Sequence, residues 1–311
     1  MNILNTINTI NTINEEKNIN IIELLKQKGF IQVETPLFMD YAKVLPFMSE
    51  DTQNSQVKLQ GPRGETLVLR GDSTISLIVG DVLKSKPTQS PRCIFYDEPN
   101  YTYDFEKLMI RENRQVGIEI LSDNAKAAFR ESFSLAVEIA RLTCGDDMLI
   151  EISQAAGLKA VVSTLLQGNL KKMDEWMYFL SRKNTREIEK ILRATQTLDA
   201  DCERISKLLT SPRDIGAFIA ETNGIQAFEP MRLWLKSVQE TLQETMQNNI
   251  STKLDIDFEP LLTVEKPYYT NETFTIYDTK RHTAFITGGT YRFDVYGICG
   301  CGFSIQTGGA R

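Results

Sequence analysis

The sequence predicts an α+β fold in which strands joined by hairpins are flanked by helices and a long all-helical segment is inserted. Three observations predict it. From Gln115 to Ile120 the chain alternates, with Gln115, Gly117 and Glu119 on one side and Val116, Ile118 and Ile120 on the other, the period of a strand whose branched apolar face enters a core. Gly61-Pro62-Arg63-Gly64 separates the runs Gln56 to Gln60 and Thr66 to Arg70, a hairpin signal. From about Ala156 to Asn248 the apolar spacing is almost wholly helical.

In chain order, the repeated Asn-Thr-Ile of the first residues is low-complexity sequence and carries no functional signal. Ile19, Ile22, Leu24 and Leu25 have helical spacing, and Gly29 suits the stop of that helix. Phe30 to Glu34 alternates as a strand that ends before Thr35-Pro36. After the hairpin, Ile75, Leu77, Ile78 and Val82 begin a second helix, for which Asp72 or Ser73 can serve as cap. Arg92 to Asp97 reads as a strand, and Asn124 to Thr143 as a helix ended by Cys144-Gly145. Met148 to Ile152 alternates again. The helical segment follows, with Leu158 to Leu166, Met173 to Leu180, Thr185 to Leu192 and Phe228 to Met246 as its clearest stretches; its Trp176 and Trp234 read as packing residues. Lys253 to Phe258 returns to strand periodicity, its acids either solvated or lining a site. Phe274 to Tyr277 and Thr283 to Thr287 form a further hairpin pair. Two domains are expected: a discontinuous core of 1–155 and 251–311, and a helical insertion over 156–250.

Polar groups on an inward strand face are costly unless they are paired or meet a ligand. Gln115 and Glu119 therefore mark either a binding site or a solvated edge strand. Tyr268 and Tyr269 divide the same way, between a ring-binding role and core aromatics beside a strand. The formal net charge of -6 argues against an electrostatic nucleic-acid binder. Five cysteines scattered through 311 residues suit reduced thiols in the cytoplasm. No apolar run approaches a membrane span and no signal peptide is visible, so no membrane role is expected. Cys299 and Cys301 are too close for the usual zinc pair, and His282 is the only histidine, so no metal site is expected. Gly297, Gly300 and Gly302 lack the strand-loop-helix setting of a phosphate loop.

Leu69-Arg70-Gly71-Asp72-Ser73-Thr74, Arg111 to Glu119, Pro267-Tyr268-Tyr269-Thr270 and Gly288-Gly289-Thr290-Tyr291 come in that order. Together they resemble the ordered signature of histidyl-tRNA synthetase and its paralogues over roughly residues 18–155 and 251–306. The resemblance implies a class II aminoacyl-tRNA synthetase-like antiparallel sheet flanked by helices, with the helix and strand before Thr35 as the dimer-forming motif 1. It also implies that Asp72, Thr74, Gln115, Glu119, Tyr268 and Tyr269 surround bound histidine, Asp72 and Thr74 at its α-amino group.

Departures from the pattern are as informative. Tyr101 and Met109 stand where the family has the two arginines of motif 2, and Val264 where it has a catalytic arginine. The motif 3 arginine position falls at Gly309, with Arg311 displaced from it, and the sequence given ends without an anticodon-binding domain. A guanidinium supplies paired donors and a permanent charge to phosphate, which adenylation requires. The combination resembles the regulatory subunits of ATP phosphoribosyltransferase, a paralogous family. That resemblance implies a chain without catalytic residues or cofactor, partnered by the short-form catalytic subunit in a hetero-octamer of four chains each. Histidine would be its effector and motif 1 its self-dimer contact. The alternatives are an active class II amino-acid-activating enzyme and a structural scaffold with a vestigial pocket.

Overall fold

A computed structural model describes residues 20–80, 92–169, 172–195, 199–247, 255–261 and 268–306. The Asn-Thr-Ile repeat, Val82, Val264, Gly309 and Arg311 lie outside these residues. In chain order the strands are β1 Ile31–Gln32, β2 Phe38–Asp40, β3 Lys58–Gln60, β4 Thr66–Leu69, β5 Arg92–Asp104, β6 Met109–Leu121, β7 Met148–Gln154, β8 Arg213–Asp214, β9 Asp255–Phe258, β10 Tyr269–Asp278, β11 Thr283–Phe293 and β12 Ile298–Gln306. The helices are α1 (20–27), α2 Tyr41–Val44, α3 Glu50–Ser55, α4 Ser73–Val79, α5 Ala125–Cys144, α6 Ala155–Leu165, α7 Met173–Ser181, α8 Thr185–Ala194, α9 Asp199–Thr210, α10 Ile215–Glu221 and α11 Glu229–Gln247.

The chain forms two compact units, 1–143 with 265–269 and 285–311, and 144–264 with 270–284. The helical insertion expected over 156–250 falls within the second unit, whose contacts also gather in β7, β9 and most of β10.

In the first unit the strands run in the order β1-β5-β6-β12-β11. β5 pairs antiparallel with β6 over its full length, from Arg92 opposite Leu121 to Asp104 opposite Met109. The strand expected over Arg92 to Asp97 is thus seven residues longer, because the β6 ladder continues to satisfy its backbone. β12 pairs antiparallel with both β6 and β11, but β1 lies parallel to β5. The sheet is therefore mixed rather than wholly antiparallel. Gly288 and Gly289 sit inside β11, and Gly300 and Gly302 inside β12, so neither pair belongs to a loop. A separate three-stranded sheet, β2-β4-β3, carries the hairpin around Gly64, whose φ of 82° only glycine adopts at little cost.

Val116, Ile118 and Ile120 are fully buried on one face of β6, and Ile120 lines a surface pocket together with Ala127 and Ala128 at the start of α5. Asn124 caps α5 by accepting from Ala127 N, and Gly145 follows it with φ 68°. The opposite face of the sheet packs against α4 and its surroundings through Val68, Leu77, Ile78, Ile94, Leu121, Tyr291 and Phe293. It is this second apolar cluster that reaches Tyr268.

In the second unit β10 pairs antiparallel with β7, β7 parallel with β9, and β9 antiparallel with β8. The two-residue β8 has no signal in the sequence; its pairing with β9 is a tertiary event. Trp176, Leu180, Ile188, Leu192, Leu208 and Phe228 are buried among the helices, and the Phe218 ring centroid lies 4.6 Å from that of Phe258 on β9. Burying one such side chain contributes about 1.5–3 kcal/mol. Trp176 is fully buried and Trp234 packs edge-on to Phe258, the packing roles their sequence positions suggest. Asp257 stands between Glu151 and Asp214 in register; burial and then the charge of Asp214 push its carboxyl up.

Candidate functional site

The strand registers place Ile94, Tyr96, Glu98 and Asn100 of β5 beside Glu119, Gly117, Gln115 and Asn113 of β6 or their neighbours, and Glu119 opposite Gly302 of β12. The polar face of β6 therefore looks onto a floor of small residues. A side chain added at Gly302 would begin 1.9 Å from Glu119 Oε2, and one at Gly117 would begin 1.9 Å from the Tyr96 ring. Both glycines are required so that Glu119 and Tyr96 can lie flat over neighbouring strands.

Glu119 is 1% exposed. Its Oε1 accepts from Thr74 Oγ1 at 2.7 Å, and the same hydroxyl stands 3.2 Å from the Tyr96 hydroxyl. A hydrogen bond to a buried carboxylate is worth about 1.5–3 kcal/mol. Thr74 is held there because it lies in the first turn of α4, whose N-cap is Asp72. Asp72 Oδ1 accepts from Ile75 N at 3.0 Å while Oδ2 accepts from the Tyr268 hydroxyl at 2.9 Å. Capping and site-building are done by the two oxygens of one carboxylate. Ser73 donates to Asn100 Oδ1 at 2.9 Å, and Asn100 donates to Gln115 Oε1 at 2.8 Å. With its oxygen taken, Gln115 presents its NH2 as donor.

The rings complete the group. The Tyr268 ring centroid lies 5.1 Å from Tyr269 and 6.4 Å from Tyr291, both edge-on. Burial first, then the negative charges of Asp72 and Glu119, push the phenols of Tyr268, Tyr269 and Tyr96 well above their ordinary range. Burial and Glu119 do the same to Tyr291. All four therefore remain neutral hydroxyls in a field that favours positive charge.

All six residues expected from sequence are thus brought together in the first unit. Tyr96, Tyr291, Asn100 and Ser73 were missed. Tyr96 lies between Phe95 and Asp97, and Tyr291 between Thr290 and Arg292 in the fourth motif; neither setting marks a ligand-facing hydroxyl, and the register with Gly117 and Gly300 reveals the face they share with Glu119.

Arg70, two residues before Asp72, is committed elsewhere. Its Nη1 lies 3.1 Å from Glu98 Oε2 and donates to Thr35 O, and its Nε donates to Pro99 O. Its own carbonyl accepts from Tyr101 N at 2.7 Å. The Tyr101 phenol, after burial, is pushed up by Glu112, and Met109 is 43% exposed. Among the described residues no group of three or more His, Cys, Asp or Glu is arranged for a metal ion, and no helix is long and apolar enough to cross a membrane.

A profile of the family described as histidyl-tRNA synthetase matches residues 12–308. The chain belongs to the histidyl-tRNA synthetase family. Within the wider family its sequence is 24% identical, over 92% of this chain and 85% of the relative, to an ATP phosphoribosyltransferase regulatory subunit of Streptococcus gordonii. Its fold is similar to a Bacillus halodurans structure described as an ATP phosphoribosyltransferase regulatory subunit/histidyl-tRNA synthetase, with TM-score 0.76 and 20% identity, covering 94% of this chain and 77% of that one. It is also similar to a chain of the ATP phosphoribosyl transferase (HisG:HisZ) complex from Thermotoga maritima, with TM-score 0.67 and 20% identity, covering 95% and 97%. The class II synthetase-like α+β fold expected from sequence is therefore the fold of this chain, with its sheet mixed in direction.

Proposed function

We propose that this chain is the non-catalytic regulatory subunit of an ATP phosphoribosyltransferase, required by the short-form catalytic subunit and conveying feedback inhibition by histidine. The observation that carries the reading is an asymmetry between two sets of positions. The amino-acid cradle of Asp72, Thr74, Gln115, Glu119, Tyr268 and Tyr269 is built and cross-braced, while Tyr101 and Met109 stand where the family resemblance calls for phosphate-gripping arginines. Asp72 and Glu119 would take the ammonium group, Thr74 and Gln115 complete its hydrogen bonds, and the phenols hold the ring by edge contact and hydroxyl.

Histidine regulates only through unequal affinity for the inhibited and active assemblies, and a coupling of about 1–3 kcal/mol gives a roughly 5–150-fold effect. Exposed Ile31, Leu37 and Phe38 beside motif 1 support a two-fold self-contact there, with dimers joined through catalytic subunits into an octamer of four chains each. The reading places the protein in the cytoplasm, with the enzyme it serves.

Co-expression with a short-form catalytic subunit tests it. The expected result is co-purification, a gain of phosphoribosyltransferase activity, and inhibition by histidine that is lost in a Glu119→Ala/Tyr268→Ala double variant. Normal activation without any histidine response would favour a scaffold with a vestigial pocket. Histidine-dependent exchange of pyrophosphate with ATP by the chain alone would favour an amino-acid-activating enzyme.

A further inference from the structure

Gln56 is 6% exposed, and neither its amide nitrogen nor its amide oxygen has a hydrogen-bond partner among the described residues. Leaving a buried amide unsatisfied is expensive, so this side chain needs a reason to be polar. Its position supplies one. Val57 O accepts from Leu69 N, which ties the segment bearing Gln56 to the end of β4. That tie sets the amide over Gly71, the residue before Asp72. A Cβ at position 71 would stand 2.1 Å from Gln56 Nε2, so the amide occupies the space that any side chain there would fill. The glycine, one residue before Asp72, and the glutamine are a matched pair.

We infer that Gln56 is a further ligand-binding residue, its NH2 donating to the α-carboxylate of the bound amino acid. This deepens the histidine-binding reading above and rests on it. In an α-amino acid the ammonium and carboxylate leave the same carbon, so a group held at Asp72 brings its carboxylate next to the residues flanking Asp72. The nearby guanidinium of Arg70 is taken by Glu98, Thr35 and Pro99. A neutral amide can recognise a carboxylate without creating the positive site that a triphosphate would seek.

The test is calorimetry on the full chain with two ligands, L-histidine and histidinol, whose hydroxymethyl replaces the carboxylate. Gln56→Met keeps the volume and removes both polar atoms. The expected outcome is a loss of histidine affinity of about tenfold or more, histidinol affinity within twofold of wild type, and a melting temperature no lower than wild type. Equal histidine affinity in Gln56→Met and wild type would overturn the inference, as would an equal loss for both ligands, which marks a structural role. Gln56→Glu provides a second arm: a carboxylate facing a carboxylate should weaken histidine further than methionine does, and a gain instead would overturn the assignment. A wild type that binds neither ligand fails at the earlier step, since it removes the histidine site itself and the inference with it.

Discussion

The two halves of the β5–β6 hairpin differ in chemistry although one ladder joins them. The inner half, Arg92 to Glu98 opposite Gln115 to Leu121, carries Tyr96, Gly117 and Glu119 and is buried along most of its length. The outer half ends in Phe105, Leu108, Met109 and Ile110, which are 61%, 74%, 43% and 47% exposed. An unpaired polar group is costly inside and cheap outside, so the inner half keeps only what its partners satisfy. Thr74 braces Glu119, and Asn100 braces Gln115. The outer half is free to change, and apolar or phenolic side chains stand where a phosphate-handling relative would place charge. Loss of one chemistry and retention of the other on a single hairpin is what a sensor derived from an enzyme would show.

That contrast can be broken most directly at Glu119. Glu119→Gln should weaken histidine binding by about 100-fold, since a charge-assisted contact becomes a neutral one; a titration with unchanged affinity would remove the pocket from consideration. Gly302→Ala comes next. Its methyl collides with a carboxylate held between strands, and overpacking of this kind costs about 1–3 kcal/mol. The melting temperature should fall by several degrees and histidine binding should weaken with it. Tyr268→Phe deletes the hydroxyl that donates to Asp72. The expected stability loss is about 0.5–1.5 kcal/mol, measured by urea denaturation, with a several-fold loss of histidine affinity.

A pH series sharpens the same comparison. The folded-state phenols of Tyr96, Tyr268, Tyr269 and Tyr291 are raised above their ordinary value of 10.0. Above that pH the unfolded chain gives up protons that the folded chain retains, so their contribution is intact below about pH 10 and lost as pH rises beyond it. Alkaline melting curves should show this decline, and Tyr→Phe changes in the pocket should flatten it. The smallest effect belongs to the outer half. Met109→Ala should leave histidine affinity within twofold, and a large loss there would mean that the two halves are not chemically separate.

Much of this was legible in residue order, for local reasons. Period-two alternation places Glu119 and Gln115 on one face of a strand, the Gly64 turn sets a hairpin, and an acid before an apolar helical run makes Asp72 a cap, because each depends on neighbours within a few residues. The family signature then adds Thr74, Tyr268 and Tyr269 to the same group. What the sequence could not specify depends on pairing across long separations. The extension of β5 to Asp104 depends on the facing arm of its own hairpin, while the parallel pairing of β1 with β5 and of β9 with β7, and the existence of β8, are decided by partners dozens of residues away. So is the membership of Tyr96 and Tyr291 in the site. A tyrosine in a strand reads the same whether its hydroxyl meets a carboxylate or nothing, and the register that sets Tyr96 over Gly117 and Gly302 under Glu119 tells the two apart.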